Sequence, residues 1–524
     1  MSEIVTILYV LPALFYLFVR LRYELQMMQQ NSYRNQRYLK WLKTNILAFE
    51  RMFDVFLLLI LCVFVHITGY VTVLVSVVLI IKIIAELRKK YKKKLVFTHR
   101  AVRLYVTAGI IIAAFVFISF LKSDDRYNCL ILTIMLLSVL SFAVLLIANI
   151  INIPVERIIN QRYYNDAQRI LKQHKHLVII GITGSYGKTG TKHYLYRLLS
   201  ENYQVLMTPG SYNTTMGVVR TIRENLKPYH EIFIVEMGAK QPGDIKEICN
   251  LVHPAIGILT SVGEQHLESF KTIENVQKAK FELIDSLPKD GLAVLNYDFE
   301  YVVSRKVENV VNVAYYSSSN PDADYYLDEI NYTRGGTNFT IKGKNEQPYL
   351  LFTKIVGSYH LSNILAAYIT AKHLGVNSDA IKYAVSHIEQ VEHRLNIKQT
   401  SQGITIIDDA FNSNPQGAKM ALDVIRNFQT GRRIVVTPGL IELGIKQYDY
   451  NYDFGKQIAV SCDYAIIVGL YNREAIINGL HSTIFDKSKI YLAMSLSDAV
   501  NHLSGILAVG DVVLYENDLP DTFK

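Results

Sequence analysis

Four stretches before Pro154 limit what this chain can fold into: residues 4–19, 53–87, 104–121 and 129–153 are almost uninterrupted runs of apolar side chains. A helix needs ~20 such residues to cross ~30 Å of hydrocarbon, so these runs read as membrane spans. The second is too long for one crossing. It breaks at His66-Ile67-Thr68-Gly69-Tyr70 into two helices, the second carrying Lys82 close enough to its end to snorkel. Five spans are therefore expected. Met1-Ser2-Glu3 lacks the basic stretch of a cleavable signal, so the first run reads as a retained helix entering from outside. Arg20, Arg22, Arg34, Arg37, Lys40, Lys43 and Arg51 follow it, and Arg88-Lys89-Lys90-Tyr91-Lys92-Lys93-Lys94 separates the third and fourth spans. Positive charge stays on the cytoplasmic side, which puts both loops and everything after Pro154 in the cytoplasm. The connections around His66 to Tyr70 and Lys122 to Arg126 are poor in net positive charge and fall outside. His66 is expected to be solvated and Asp54 interfacial.

Half of the 524 residues are hydrophobic, but beyond Pro154 apolar runs alternate with Gly turns and charge, as in globular domains of ~100–200 residues each. A formal charge of +9 would suit a nucleic-acid partner. So many basic residues flank apolar runs, however, that membrane orientation accounts for it, and no nucleic-acid binding is expected. Cys62, Cys129, Cys249 and Cys462 lack CxxC spacing, which argues against disulfides and a zinc site.

After a basic, helical-looking segment at residues 155–176, an apolar strand at residues 177–182 meets Thr183-Gly184-Ser185-Tyr186-Gly187-Lys188-Thr189 and a helical stretch over residues 194–199. Strand, glycine loop and helix form a phosphate cradle. Gly184 and Gly187 let backbone N–H groups wrap around phosphates at the helix start, Lys188 adds a point charge, and the Thr189 hydroxyl can ligate magnesium. The pattern is GxxGKT and not the full Walker spacing, because Ile182 stands where the first Gly would be. Taken alone it could be a turn with a solvated lysine; its place between strand and helix favours the phosphate loop. A second strand, residues 231–235, delivers Glu236 at its C-terminal end, where open α/β sheets put ligand groups. A magnesium-binding carboxylate is its natural role.

These segments resemble the Mur ligases, enzymes that join amino acids or peptides to the growing cell-wall precursor, and most of all their MurF type. The likeness runs from about Leu177 to about Asp511. Thr183 to Lys192 is similar to the ATP loop, Glu236-Met237-Gly238 to the metal-binding glutamate turn, and Gly263-Glu264-Gln265-His266-Leu267-Glu268 to the motif whose histidine, here His266, supplies a second metal ligand. Lys278-Ala279-Lys280-Phe281-Glu282 resembles the segment whose lysine, here Lys280, is carbamylated and so becomes an anion able to hold a second magnesium. By itself Lys280 would read as a solvated helix lysine. Asn296-Tyr297-Asp298 matches a further motif. Asn363, in Gly357-Ser358-Tyr359-His360-Leu361-Ser362-Asn363, matches the position that reads adenine, and Arg394, after His393, the arginine that contacts ATP phosphates across the domain boundary. Asp408-Asp409-Ala410-Phe411-Asn412-Ser413-Asn414-Pro415 resembles the signature in which an aspartate, Asp408 or Asp409 here, binds the ribose.

The resemblance implies an ATP-dependent ligase with two magnesium ions and a carbamylated lysine, working through an acyl phosphate. It also implies a carboxylate acceptor and an amino-acid or peptide donor. The expected fold is an N-terminal α-helical transmembrane region (residues 1–154), a linker helix (155–176), a P-loop central α/β domain (177–394) and a Rossmann-like C-terminal domain (395–524). The expected location is the bacterial cytoplasmic membrane. Departures from the family concern the substrate. Membrane helices stand where a uridine-nucleotide-binding domain normally precedes the ATP loop, which points to a lipid-linked acceptor. Gly210 to Gly217 keeps Asn213 and Gly217 of an asparagine-rich turn, but has Ser211 and Thr214 where asparagines are usual. Glu442-Leu443-Gly444 is kept without the histidine that commonly follows, and Tyr515 to Asp521 replaces the usual lysine-glycine-serine ending. Two alternatives stand beside this reading: a ligase building another surface polymer, as poly-γ-glutamate synthases do, or a nucleotide-binding membrane scaffold without catalysis. Lys188, Glu236, His266 and Lys280 favour catalysis, since binding alone needs no second metal site.

Overall fold

The computed structural model describes residues 3–45, 49–64, 69–89, 91, 93–122, 126–333, 336–344, 346–391, 394–410, 414–428 and 431–518. His66 to Thr68, Lys90, Lys92, Ser123 to Asp125, His393, Phe411 to Ser413 and Leu519 to Asp521, all invoked above, lie outside the described residues. The chain divides into two compact units, residues 1–161 with 519–524, and residues 162–518.

The first unit is helical. Its helices are Glu3–Gln30, Asn35–Asn45, Phe49–Phe64, Gly69–Arg88, His99–Lys122 and Arg126–Val139, and the helix Ser141–Gln173 begins in it and runs on past residue 161. They share a core that includes Tyr16, Leu17, Leu21, Leu61, Leu79, Leu104, Met135 and Leu145. Two expectations change here. The run at residues 129–153 is not one helix but breaks at Leu140, and the last helix continues through Pro154 to Gln173, so the expected linker helix is its second half. Proline removes one intrahelical hydrogen bond, and Glu156, just beyond it, is tied to Arg103 at 2.7 Å.

The charges of this unit also behave differently from expectation. The first helix extends past Val19, so Arg20 and Glu24 lie on it and are buried. Asp54 is buried within the protein: it is 1% exposed, accepts from the Tyr16 hydroxyl at 2.6 Å, faces Arg20 at 3.4 Å and pairs with Lys82. Glu24 is held by Arg51 at 2.9 Å and by Tyr38. Buried charge is tolerated best when paired and hydrogen-bonded; these charges face partners of opposite sign, while Asp54 Oδ2 and Arg51 Nη1 make no hydrogen bond among the described residues. Among the described residues two helices, His99–Leu121 and Ser141–Gln173, are long and apolar enough to cross a membrane, against the five expected. Phe49–Phe64, at 16 residues, is shorter.

The second unit carries two sheets among the described residues. The first comprises β1 (Val178–Thr183), β2 (Val205–Met207), β3 (Ile232–Glu236), β4 (Ile256–Leu259), β5 (Leu292–Asn296), β6 (Asn312–Ser317), β7 (Tyr325–Thr333), β8 (Gly336–Gly343) and β9 (Tyr349–Thr353). Their order is β2-β3-β1-β4-β5-β6-β7-β8-β9, parallel as far as β7 and antiparallel beyond. Every residue of β3, β4 and β5 is buried, as parallel strands covered on both faces require. Alternate residues feed two cores, Ile180, Ile182, Ile234 and Ile258 on one side and Ile179, Phe233, Val235 and Leu259 on the other. The second sheet comprises β10 (Asn396–Gln399), β11 (Thr405–Asp409), β12 (Arg433–Thr437), β13 (Tyr464–Val468), β14 (Ile490–Ala493) and β15 (Val512–Glu516), in the order β10-β11-β15-β12-β13-β14. It is parallel except for its β10 edge, which suits a Rossmann-like layer. The cysteines are unpaired.

Candidate active site

The loop from Gly184 to Lys188 leaves β1 with two glycines at positive φ, 152° and 84°. A Cβ on Gly184 would lie 2.0 Å from the Thr260 hydroxyl. One on Gly187 would lie 2.7 Å from Asn363 Oδ1 and 2.6 Å from the Tyr359 hydroxyl. Glycine is therefore required for the backbone to pass so closely. The helix Lys188–Leu199 starts without a side-chain cap, which leaves its first N–H groups and its dipole to an anion. Ile182, which stands in the place of a first Walker glycine, is a buried strand residue in register with Glu236.

Lys188 donates to the carbonyls of Gly184 at 2.6 Å and Ser185 at 3.2 Å. Burial pulls its pKa down to about 8, with Glu236 opposing and Arg394 adding to the fall. Glu236 ends β3 and is 1% exposed. Thr189 donates to its Oε2 at 3.2 Å, Asn213 to Oε1 at 3.2 Å, and Lys192 lies 3.1 Å from Oε2. Burial pushes the Glu236 carboxyl up, but Lys192 and Lys188 outweigh it, so it is held below its usual range. Lys280, in the helix Ile273–Asp285, is 2% exposed. It forms no hydrogen bond or ion pair among the described residues, and burial beside Lys188 drives its pKa well below that of an ordinary lysine. The helix-surface reading of Lys280 is thus wrong: it faces inward, toward the field of Lys188, Asp244, Glu282 and Glu236. His266, at φ 54°, pairs through Nδ1 with Glu442; burial lowers its pKa, Glu442 opposes that, and Lys240 and Lys280 lower it further.

Among the described residues Asn363 is buried beside Gly187 with no hydrogen-bond partner for its amide other than the neighbouring Tyr359 hydroxyl. A buried amide short of partners costs free energy unless something completes it, so this recess fits the polar edge of a base. Arg394 lies in the field of Lys188, His360 and Asp409. Asp408 and Asp409 close β11 at its C-terminal end, Asp409 accepting from the Leu395 N–H at 3.1 Å and Asp408 from that of Ala410 at 3.3 Å. Burial raises the Asp409 pKa to about 6 against the pull of Arg394. Lys188, Thr189, Glu236, Lys280, His266 and Arg394 thus act on one another, with Asn363 and the aspartates beside them.

Among the described residues no three His, Cys, Asp or Glu side chains gather as a ready metal cage. Magnesium does not need one, since it keeps several waters and takes phosphate oxygens. The hard oxygens of Thr189 and Glu236, 3.2 Å apart, fit one such ion.

Sequence reading missed Lys192, Glu442 and the Tyr359 hydroxyl as parts of this site. Lys192 is fully buried and donates to the Gly210 carbonyl at 2.6 Å as well as facing Glu236. A lysine one helical turn after Lys188 was the available signal. Its replacement by methionine is expected to lower the unfolding midpoint of the purified protein by the equivalent of about 3–5 kcal/mol, because Glu236 is left buried without its cation. A midpoint equal to wild type would mean that the pair contributes nothing.

Comparison with known proteins places this geometry in context. The Mur ligase middle domain matches residues 182–371, and the Mur ligase glutamate ligase domain matches residues 393–515. The chain is 27% identical over 340 residues to the UDP-N-acetylmuramoyl-tripeptide--D-alanyl-D-alanine ligase of Bacillus subtilis, covering 64% of this chain and 72% of that one. It is also 27% identical over 335 residues to the enzyme of that name in Escherichia coli, covering 63% and 74%. MurF ligase from Thermotoga maritima in complex with ADP superposes with a TM-score of 0.62 at 26% identity, covering 68% of this chain and 80% of that one. MurF from Acinetobacter baumannii shares the fold with the same TM-score at 22% identity, covering 68% and 77%.

Proposed function

This chain belongs to the Mur ligase family and is an ATP-dependent carbon–nitrogen ligase, and from that premise we propose that it is a MurF-like enzyme joining an amino-acid or peptide amine to a carboxylate of a cell-wall precursor. The observation that carries the reading is the meeting of Lys188, Thr189, Glu236 and Lys280 below an uncapped helix start, with the buried Asn363 amide alongside. When bound, ATP supplies the phosphoryl group and magnesium neutralises its charge. Lys188 and the first N–H groups of its helix hold the transferred phosphate; Thr189, Glu236, His266 and carbamylated Lys280 hold the metals; Arg394 reaches the phosphates; Asn363 reads the base, and Asp408 or Asp409 the ribose. An acceptor carboxylate oxygen attacks the γ-phosphorus and ADP leaves. The amine nitrogen then attacks the acyl carbon, phosphate departs and the nitrogen gives up a proton. A buried site keeps water from the acyl phosphate.

We further propose that the helical unit holds the enzyme in the bacterial cytoplasmic membrane with its ligase domains in the cytoplasm, and that the acceptor is lipid-linked. The helical unit turns Leu74, Ile110, Phe117, Leu121 and Ile150 outward, each more than half exposed, an apolar surface of the kind that lipid covers. This unit precedes the matched Mur domains, in the place where family members hold the uridine nucleotide. Binding energy from remote parts of a substrate positions the reacting group, and confinement to the inner leaflet would supply it here. Given a soluble uridine-linked peptide and its undecaprenyl-linked counterpart under equal conditions, the enzyme is expected to show kcat/KM at least ~10²-fold higher for the lipid. Equal or better use of the soluble acceptor would sink the lipid reading and leave the ligase reading intact.

A further inference from the structure

Two loops from different sheets meet at His266. One follows β4 and carries Glu264, His266 and Glu268; the other follows β12 and carries Glu442, Gly444 and Lys446. The His266 Nδ1 pairs with the Glu442 carboxylate, the Glu268 N–H donates to the Glu442 carbonyl at 3.3 Å, and Lys446 Nζ lies 2.8 Å from Glu264. Neither end of the central bond rests in ordinary backbone. His266 has φ 54° and Glu442 φ 62°, a region that a long unbranched acid rarely adopts. Outliers of this kind persist where the surroundings hold them for a purpose.

A carboxylate has no proton to give, so Nδ1 of a neutral His266 must carry one and donate it. The other ring nitrogen, Nε2, then keeps its lone pair. Carboxylate–histidine–metal arrangements work in this way: the outer acid fixes the tautomer and the ring orientation and makes the inner nitrogen a better ligand. We propose that Glu442 is a positioning residue of the ligase reaction, fixing His266 as a ligand for a divalent cation, and doing so only while the C-terminal sheet is docked against the central one. The proposal rests on the reading of His266 as a metal ligand. It adds that the second metal site is completed by the domain that also brings Asp408 and Asp409, so docking of that domain and assembly of the site are one event.

The test uses the purified full-length protein with ADP and Mn2+, the bound metal being counted by electron paramagnetic resonance without turnover. Glu442→Ala is expected to weaken one Mn2+ site ~10–100-fold while ADP affinity in the absence of metal stays at the wild-type value. Glu442→Gln, whose amide oxygen can still accept from Nδ1, is expected to fall between the two. His266→Ala should weaken the same site, and adding Glu442→Ala to it should cost nothing more, because the two residues act as one unit. If Glu442→Ala does not fold, Glu442→Asp, one methylene shorter, takes its place with the same expected weakening. Wild-type Mn2+ binding in the Glu442 variants, with a weakened site in His266→Ala, would overturn the proposal and spare His266 as a ligand. Wild-type binding in both would overturn the proposal together with that reading.

Discussion

Lys188→Ala is expected to reduce acceptor-dependent phosphate release at least ~10²–10³-fold, the loss that accompanies removal of a single group stabilising transition-state charge. The effect is placed on chemistry, because Lys188 carries little of the fold: among the described residues its ammonium bonds to two carbonyls of its own loop, those of Gly184 and Ser185. Thermal unfolding should therefore stay near wild type. The companion variant at Glu236 needs more care. Alanine there would strand Lys192, which is fully buried and 3.1 Å from the carboxylate, and an unpaired buried charge destabilises by about 3–5 kcal/mol. Glu236→Gln keeps the volume and an acceptor oxygen for Thr189 and Lys192 while removing the anion that holds a cation. It is expected to lose phosphate release as severely as Lys188→Ala, with the folded protein retained. Full activity in either variant would rule out the catalytic assignment.

The second large effect is expected at Lys280. A buried ammonium that burial and Lys188 disfavour more than Asp244, Glu282 and Glu236 support it is unfavourable, and the neutral amine that results is the form that attacks CO2. Carbamylation would join the Lys280 nitrogen to the carbon of CO2 and release one proton, placing an anion in the field of Lys188. Lys280→Ala is accordingly expected to lose about 10²–10³-fold in phosphate release and to regain part of it in acetate or formate, which can fill the void with a carboxylate. Lys280→Met, which fills that void with a thioether, should be equally inactive, unresponsive to either acid, and no less stable, since it removes an uncompensated charge. With 13C-labelled bicarbonate the wild-type protein should show a carbamate resonance that both variants lack. Unimpaired turnover in Lys280→Ala, or loss without any response to short acids, would end the carbamate reading.

The glycine loop after β1 and the place of Glu236 were legible because their signals are local. An apolar run, two glycines and a lysine within a few residues define a strand, a tight turn and a helix start, and the structure has β1, the Gly184–Gly187 turn and the Lys188–Leu199 helix there. The same logic set Glu236 at the end of β3. In the helical unit, hydropathy located the apolar segments but misjudged their ends. A window average sees neither the pairing that lets Arg20, Glu24 and Asp54 be buried nor the tertiary support that carries a helix through Pro154.

What the chain's order of residues determined by itself was the set of elements and the family to which they belong, because period, turn chemistry and motif spacing act over a few residues at a time. Only the tertiary structure decided which side chains become partners. His266 and Glu442 stand 176 positions apart, the Gly187 turn and Asn363 belong to separate elements, and Lys280 turned inward from what reads as a solvated face. Such pairings depend on how sheets and helices pack. A residue's charge state and partners follow from the medium and neighbours that packing assigns to it, and no stretch of sequence carries that information locally.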